Sequence, residues 1–186
     1  MSAAITGTQL AELSSDNPRV KYRRAKMLVA AARQDPRRLS AHLPFFVKLL
    51  ESENNILKWV AIDVLGAVAV EASKSRVDQI TRIFVQFLRG GRLITANHAI
   101  AGLANVALAR PGLREKITRA LLRVEEYPFE TGECHNIALG KVLDALAFLP
   151  GESKEGRRVV SFARRQLKNR RPATRKKAEK LLTRCA

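Results

Sequence analysis

Residues 42–69 read HLPFFVKLLESENNILKWVAIDVLGAVA, and this stretch decides the fold because the pattern of its second half recurs along the chain. Four segments, one of which starts at Asn54 within this stretch, align without internal gaps, and a fifth begins near Arg171. One polar position per segment sets the alignment, at spacings of 37, 39, 39 and 39 residues: Lys21, Lys58, Asn97, Asn136 and Arg175. A period near forty residues is typical of helical repeat proteins.

The apolar positions of the five segments share one helical face. Six, seven and ten residues after the polar position, none of the fifteen side chains is charged, although 27% of the chain is. These offsets fall on one side of an α-helix, so we expect a buried stripe on a repeated second helix. The predicted stripe consists of Met27, Leu28, Ala31, Val64, Leu65, Val68, Leu103, Ala104, Ala107, Val142, Leu143, Leu146, Leu181, Leu182 and Cys185.

Each second helix follows another amphipathic run, such as residues 36–52, and Gly90-Gly91 and Pro150-Gly151 indicate turns. A single hairpin would expose its stripe, whereas stacked hairpins bury the stripes in one continuous core. The sequence therefore predicts an all-α fold, a right-handed α-solenoid of about five helical hairpins. We expect a single domain over residues 1–186, with repeats at roughly 6–35, 36–74, 75–111, 112–150 and 151–186.

Residues 42–69 resemble a HEAT repeat of the armadillo-like α-solenoid family. The features that carry the resemblance are the first-helix proline, a leucine pair, a polar turn, a basic residue and a closing Leu-Gly-x-x-Ala, at Pro44, Leu49, Leu50, Lys58, Leu65, Gly66 and Ala69. The third and fourth repeats carry Asn97 and Asn136 where the family has the basic residue. Overall the chain resembles small prokaryotic-type HEAT-repeat proteins. The resemblance implies that the second helices line a concave binding face.

On that face we expect a polar partner-binding strip, made of Lys58, Asp63, Asn97, Asn105, Asn136, Lys141 and Asp144. Small residues beside it, Ala101, Gly102 and Gly140, would allow a partner's backbone to approach closely. Two alternatives remain open. The polar column can instead hydrogen-bond the turns of neighbouring repeats, and the other residues can be an ordinary solvated helix face.

The net charge is +17, from 34 Lys and Arg against 17 Asp and Glu. The excess lies at the two ends, with +6 between Asp16 and Arg38, +11 between Lys154 and Arg184, and a neutral middle. Such an asymmetry points to an anionic partner, either an acidic protein surface or nucleic acid, but a terminal repeat also needs a polar outer face for solubility. The C-terminal basic patch comprises Arg157, Arg158, Arg164, Arg165, Lys168, Arg170, Arg171, Arg175 and Lys176.

One pair of residues resembles an enzyme site. Trp59 and Asp63 lie four residues apart on one helical face, a spacing similar to that of the Trp and Asp in HEAT-like DNA glycosylases of the alkylation-repair type. The alternative is that Trp59 packs between repeats while Asp63 pairs with Lys26 or another basic neighbour. The sequence has no glycine-rich phosphate loop and no metal-ligand spacing, so we expect a non-enzymatic protein without a cofactor or metal.

The two cysteines are well separated in sequence, no charged leader follows Met1, and no apolar run reaches about 20 residues. We therefore expect a cytoplasmic protein that does not span a membrane. The function we expect is a non-enzymatic protein-binding scaffold that presents a concave polar surface to another protein with an acidic surface. The alternative is a nucleic-acid-binding HEAT-like protein that uses its basic ends on phosphates, with alkylation repair as its enzymatic form.

Overall fold

All regular secondary structure in the described part of the chain is helical. The computed structural model describes residues 5–147 and 154–185, and no β-strand occurs within them. The all-α prediction is therefore confirmed. The chain divides into two compact units, unit 1 (Met1–Ile80) and unit 2 (Thr81–Ala186), which are described separately.

In unit 1, a short helix and a longer one are followed by a second such pair. The helices are α1 (Gly7–Ala11), α2 (Pro18–Gln34), α3 (Arg37–Ser40), α4 (Leu43–Leu49) and α5 (Asn55–Val68), with a 3₁₀ turn at Glu12–Ser14. Helix α2 packs against that turn, α4 packs against α5, and the two long helices α2 and α5 pack against each other. Helix α6 (Lys74–Arg89) begins in unit 1 and ends in unit 2.

Unit 2 continues the alternation. Its further helices are α7 (Leu93–Ala109), α8 (Arg114–Leu122), α9 (Gly132–Leu146), α10 (Lys154–Gln166) and α11 (Pro172–Cys185), with 3₁₀ turns at Pro111–Leu113 and Arg123–Glu126. Helix α9 packs between α7 and α11, α8 packs against α7, and α10 packs against α11. The predicted Pro150-Gly151 turn lies outside the described residues.

Polar side chains cap α2, α5 and α9, which belong to the second helices (α2, α5, α7, α9 and α11). The Asn17 side chain accepts a hydrogen bond from the Arg19 amide at 3.0 Å, and the Thr131 hydroxyl accepts one from the Cys134 amide at 3.0 Å. Asn54 caps α5 by accepting from the amides of Ile56 and Leu57. Such caps satisfy amides that have no partner within the helix, so these residues fix where α2, α5 and α9 begin.

The amphipathic run at residues 36–52 forms two helices rather than one. Helix α3 ends at Ser40 and α4 begins at Leu43, with Pro44 in its first turn. Proline suits the first turn of a helix, because the N–H that it lacks would have no partner within the helix there. Further along a helix, its ring would clash with the preceding turn. The His42 ring occupies the break, with its Nε2 atom 2.8 Å from the main-chain oxygen of Ile5.

The turn between α6 and α7 depends on a glycine. Gly91 has a φ of 68°, in the left-handed region that side chains disfavour. A Cβ atom at this position would also lie 2.8 Å from the main-chain oxygen of Pro128. The Gly90-Gly91 turn signal therefore reflects both a backbone conformation and a close approach within unit 2.

Eleven of the fifteen residues in the predicted stripe are buried, including Leu28, Leu65 and Leu103, which are at most 1% exposed. The prediction was wrong for Met27, which is 52% exposed. Met27 borders a pocket of about 250 Å³ that Ile5 and Gln9 also line, so these residues near the N-terminus lie beside it without burying it. The remaining three residues are half-buried: Ala104, Leu182 and Cys185.

Candidate functional site

The polar column near the start of the second helices has a structural role at Arg175. Its Nη1 atom donates hydrogen bonds to the main-chain oxygens of Asn169 at 2.8 Å and Arg170 at 3.1 Å. These oxygens lie in the turn between α10 and α11, so Arg175 closes the turn of its own hairpin. The alternative drawn from the sequence placed such bonds on the turns of neighbouring repeats, whereas Arg175 bonds the turn of its own repeat.

The two asparagines of the column differ from Arg175. Asn97 and Asn136 are both half-buried, and Asn136 contributes its main-chain oxygen to a 2.8 Å hydrogen bond from the Thr174 hydroxyl. The Oδ1 atom of Asn97 is buried, and no described residue donates a hydrogen bond to it. A buried amide oxygen without a partner costs folding free energy, so Asn97 is the least satisfied member of the column.

The residues of the predicted partner-binding strip differ in how exposed they are and in whether they form an ion pair. Asn105 and Asp144 are exposed, whereas Lys58 and Lys141 are half-buried. The Asp144 carboxylate lies 2.6 Å from the Nζ atom of Lys177, across the contact between α9 and α11. Within unit 2 the strip therefore presents Asn105, Lys141 and an ion pair on three adjacent helices.

One expectation about the small residues of this face was wrong. Gly140 is covered by α11 of the same chain: a Cβ atom at Gly140 would lie 2.8 Å from the Thr174 hydroxyl oxygen. Gly102 is buried as well. Gly140 therefore allows two helices of this chain to approach closely, and that position is not open to the backbone of a partner.

Asp63, the acid of the glycosylase-like pair, has a basic neighbour. Its Oδ2 atom lies 3.5 Å from the Nη2 atom of Arg33 on α2, and its side chain is 16% exposed. Trp59 is half-buried on α5. The pairing with Arg33 agrees with the packing alternative, in which Asp63 pairs with a basic neighbour.

Four members of the C-terminal basic patch bond within unit 2. Arg165 donates to both carboxylate oxygens of Glu125, with the shortest contact at 2.7 Å, and this pairing raises the pKa of Arg165 above its ordinary value. Arg171 lies 2.8 Å from Glu133, and Arg158 lies 2.9 Å from Glu155. Arg175 is the fourth member, through its bonds to the turn.

The other five patch residues are exposed and make no ion pair with any described residue: Arg157, Arg164, Lys168, Arg170 and Lys176. Arg157, Arg164 and Lys168 follow one another at spacings of seven and four residues, which places them along one side of α10 and the turn that follows it. The cationic surface predicted from the sequence is thus smaller than the count of basic residues suggests.

A groove in unit 1 is a feature that the sequence analysis missed. It has a volume of about 840 Å³ and lies between α2 and α5. Its floor includes Val29 and Val60, and its rim includes Arg23 and Lys26. The alignment of the repeats could have indicated the groove. Val29 and Val60 occupy the positions that the charged residues Asp144 and Lys177 occupy in α9 and α11.

The histidines and cysteines do not gather into a site. His135 stacks on Phe129 at 5.4 Å between ring centroids, and its Nε2 atom lies 3.0 Å from the main-chain oxygen of Val124. Within residues 5–147 and 154–185, no three His, Cys, Asp or Glu side chains lie close enough together to hold a metal ion. Over the same residues, every helix is too short or too polar to cross a membrane.

Comparisons with known proteins give likenesses to solved structures. No protein-family model matches the chain, and no curated protein matches it. Two crystal structures of engineered proteins from the Northeast Structural Genomics Consortium are similar to it. One is 15% identical with a TM-score of 0.45, covering 96% of this chain and 95% of the other. The second is 14% identical with a TM-score of 0.47, covering 97% and 99%. At these TM-scores neither likeness carries an argument.

The interactions that sequence reasoning did not foresee mostly join neighbouring helices through long side chains. Glu125 and Glu133 belong to the neutral middle of the chain and had no predicted role, yet they pair with Arg165 and Arg171. The sequence does contain a signal for these pairs. In each pair an acidic residue lies 40 or 38 positions before the basic one, near the same place in the preceding repeat. Such pairs become visible only once the repeats are aligned with each other.

Proposed function

We propose that this chain is a non-enzymatic protein-binding module, built as a right-handed α-solenoid of about five HEAT-like hairpins and located in the cytoplasm. The packing within each unit supports the proposal. In unit 2 the second helices α7, α9 and α11 lie side by side, and in unit 1 α2 packs against α5. Stacked second helices form a layer that a partner can contact over several repeats.

The observation that carries the proposal is the outer side of this layer in unit 2. Asn105 on α7 and Asp144 on α9 are exposed, and Lys141 on α9 is half-buried. Of these three, only Asp144 has an ion pair with another described residue. A polar strip on rigid, adjacent helices offers hydrogen-bonding groups in fixed positions, which lowers the entropy cost of binding.

The charge of the chain supports an acidic protein as the partner. The net charge is +17, and five members of the C-terminal basic patch are exposed without an ion pair in the described structure. Complementary charge raises the association rate and disfavours basic partners.

A capture experiment with matched variants tests the proposal. The full chain is immobilised and exposed to native lysate with and without nuclease. We expect a partner that survives nuclease and is lost from the Asn105→Ala/Lys141→Glu variant. The control is Gln86→Ala/Lys116→Glu, which makes the same change in net charge at exposed positions on α6 and α8. Equal capture by both variants, or loss of the partner on nuclease treatment, would contradict the proposal.

The second candidate function is nucleic-acid binding, and the five exposed cations of the C-terminal basic patch favour it. Arginine and lysine contacts to phosphates release counterions, so affinity for duplex DNA should fall steeply with salt. Arg164→Glu/Lys168→Glu should reduce the slope of log K against log salt by about two. Arg82→Glu/Lys116→Glu makes the same charge change elsewhere and should leave the slope nearly unchanged. The alkylation-repair form further predicts base release from alkylated DNA that Asp63→Asn abolishes.

A further inference from the structure

The groove between α2 and α5 in unit 1 combines an apolar floor with a basic rim. Val60 is 8% exposed at the bottom, and Ile56 is 40% exposed at the edge. Arg23 and Lys26 are exposed along α2. Among the described residues, Asp63 is the only carboxylate that lines the groove, and Arg33 lies 3.5 Å from it. The rim therefore keeps a net positive charge.

The repeat alignment explains why this groove is apolar. Asp144 of α9 and Lys177 of α11 form an ion pair at 2.6 Å, which bridges the two second helices. The aligned residues of α2 and α5 are Val29 and Val60, eight residues after Lys21 and two after Lys58. Two valines cannot bridge the helices as an ion pair does, and apolar surface is left at the same place in the repeat.

We propose that this groove binds an acidic amphipathic helix of a partner protein. This inference rests on the proposed protein-binding function and names the surface and the partner's chemistry. The lining residues of α2 run from Tyr22 to Arg33, about three turns or 16 Å of helix. That length suits a docked helix with apolar anchors at i, i+4 and i+7. Acidic residues beside the anchors would meet Arg23 and Lys26 on the rim.

The charge of the chain argues against a second copy as the occupant. A chain with a net charge of +17 repels itself, and the cationic rim adds to this repulsion. Single-stranded nucleic acids stack on rows of aromatic side chains, and within the part of the chain that the structure describes Tyr22 is the only aromatic residue that lines the groove. The apolar face of an acidic amphipathic helix would pack on the floor, and its carboxylates would pair with the basic residues of the rim.

The test uses a designed probe, a fluorescein-labelled amphipathic peptide of about 16 residues with leucine anchors on one face and flanking glutamates. A scrambled peptide of equal composition, whose leucines no longer share a face, is the peptide control. Binding to the full-length protein is followed by fluorescence anisotropy. We expect the amphipathic peptide to bind at least about tenfold more tightly than the scrambled one.

Two variants locate the binding. Arg23→Glu reverses a rim charge, and Ala30→Glu places a larger, acidic side chain on an exposed lining position of α2. Each should weaken peptide binding by at least about tenfold. The control is Arg19→Glu, an exposed residue one turn earlier on α2 that does not line the groove, and it should change affinity by less than about twofold. Circular dichroism establishes that the variants remain helical.

Several outcomes would overturn the proposal. Equal losses from Arg23→Glu and Arg19→Glu would indicate general electrostatic attraction, and equal binding of both peptides would show that no helical face is recognised. Displacement of the peptide from the groove by duplex DNA or phosphatidylserine vesicles, or self-association that Ala30→Glu abolishes, would assign the groove to those occupants.

Failure here is distinguishable from failure of the proposed function. If neither peptide binds while a nuclease-resistant partner is still lost from the Asn105→Ala/Lys141→Glu variant, the protein-binding function stands and the groove proposal is wrong. If the peptide binds in the groove but no nuclease-resistant partner is captured, the unit 2 strip is wrong and the groove assignment stands.

Discussion

Gly140 on α9 lies against Thr174 on α11, so closely that a Cβ atom at Gly140 would be 2.8 Å from the Thr174 hydroxyl oxygen. The same hydroxyl donates a 2.8 Å hydrogen bond to the main-chain oxygen of Asn136, and Thr174 is 1% exposed. The hydroxyl thus occupies the space that a side chain at position 140 would need.

We predict that Gly140→Ala destabilises the protein by about 1–3 kcal/mol, because the hydroxyl must move and its hydrogen bond to Asn136 weakens. In the Thr174→Ala background, the same substitution should be neutral or stabilising by up to about 1 kcal/mol, since alanine favours helix over glycine. Urea unfolding of the four proteins measures the coupling. Additive losses would show that the two residues do not interact.

We predict that Asn54→Ala lowers the free energy of unfolding by about 1 kcal/mol. Its side-chain oxygen accepts hydrogen bonds from the amides of Ile56 and Leu57 at 3.0 and 3.3 Å, and alanine leaves both amides without this cap. Asn54→Asp keeps an acceptor there and should retain most of the stability. Thermal denaturation decides between them, and equal losses from both variants would rule out the capping role.

Glu12 should make stability depend on pH. Arg24 donates hydrogen bonds to the Glu12 carboxylate at 2.8 and 2.9 Å, which holds the pKa of Glu12 below its ordinary value of 4.5. A carboxylate whose pKa is lowered by folding contributes stability above pH 4.5 and loses it as the pH falls through the lowered value. The difference in melting temperature between the wild type and Glu12→Gln should therefore be largest at neutral pH and narrow below pH 4.5. A difference that stays constant with pH would contradict the pairing.

The ion pair between Asp144 and Lys177 should contribute little to stability despite its 2.6 Å separation. The two side chains are 50% and 38% exposed, and solvent screens such pairs. We expect Asp144→Asn to lower the free energy of unfolding by less than about 1 kcal/mol, with a smaller effect at high salt, in urea titrations at two salt concentrations. A loss of several kcal/mol would show that the pair is needed to hold α9 against α11.

The helical elements could be predicted from the sequence, because their signals are local and repeated. Apolar offsets of six, seven and ten residues identified eleven buried stripe positions, and Gly90-Gly91 indicated the turn between α6 and α7. Met27 follows the same pattern and is exposed, because its burial depends on residues distant in sequence, such as Ile5 and Gln9, which line a pocket beside it.

The candidate sites were less predictable. Glu125 and Arg165 are 40 positions apart, and their pairing depends on how long side chains extend across neighbouring helices. The groove between α2 and α5 depends on the absence of a charged pair at two aligned positions, which are occupied by Val29 and Val60. Neither valine is unusual by itself. Periodicity identifies which residues are buried but not which exposed residues pair.

The hydrogen bond between Arg165 and Glu125 has a consequence for how the polypeptide acquires its structure. The two residues are 40 positions apart, and the hydrogen bond from Gln166 to the same carboxylate joins positions 41 apart, about the spacing of the repeated sequence pattern. Low contact order of this kind favours rapid folding, because each segment needs only the one synthesised just before it. Folding can then advance from the N-terminus as the ribosome extends the chain, and insertion of one whole extra repeat should disturb only the elements on either side of it.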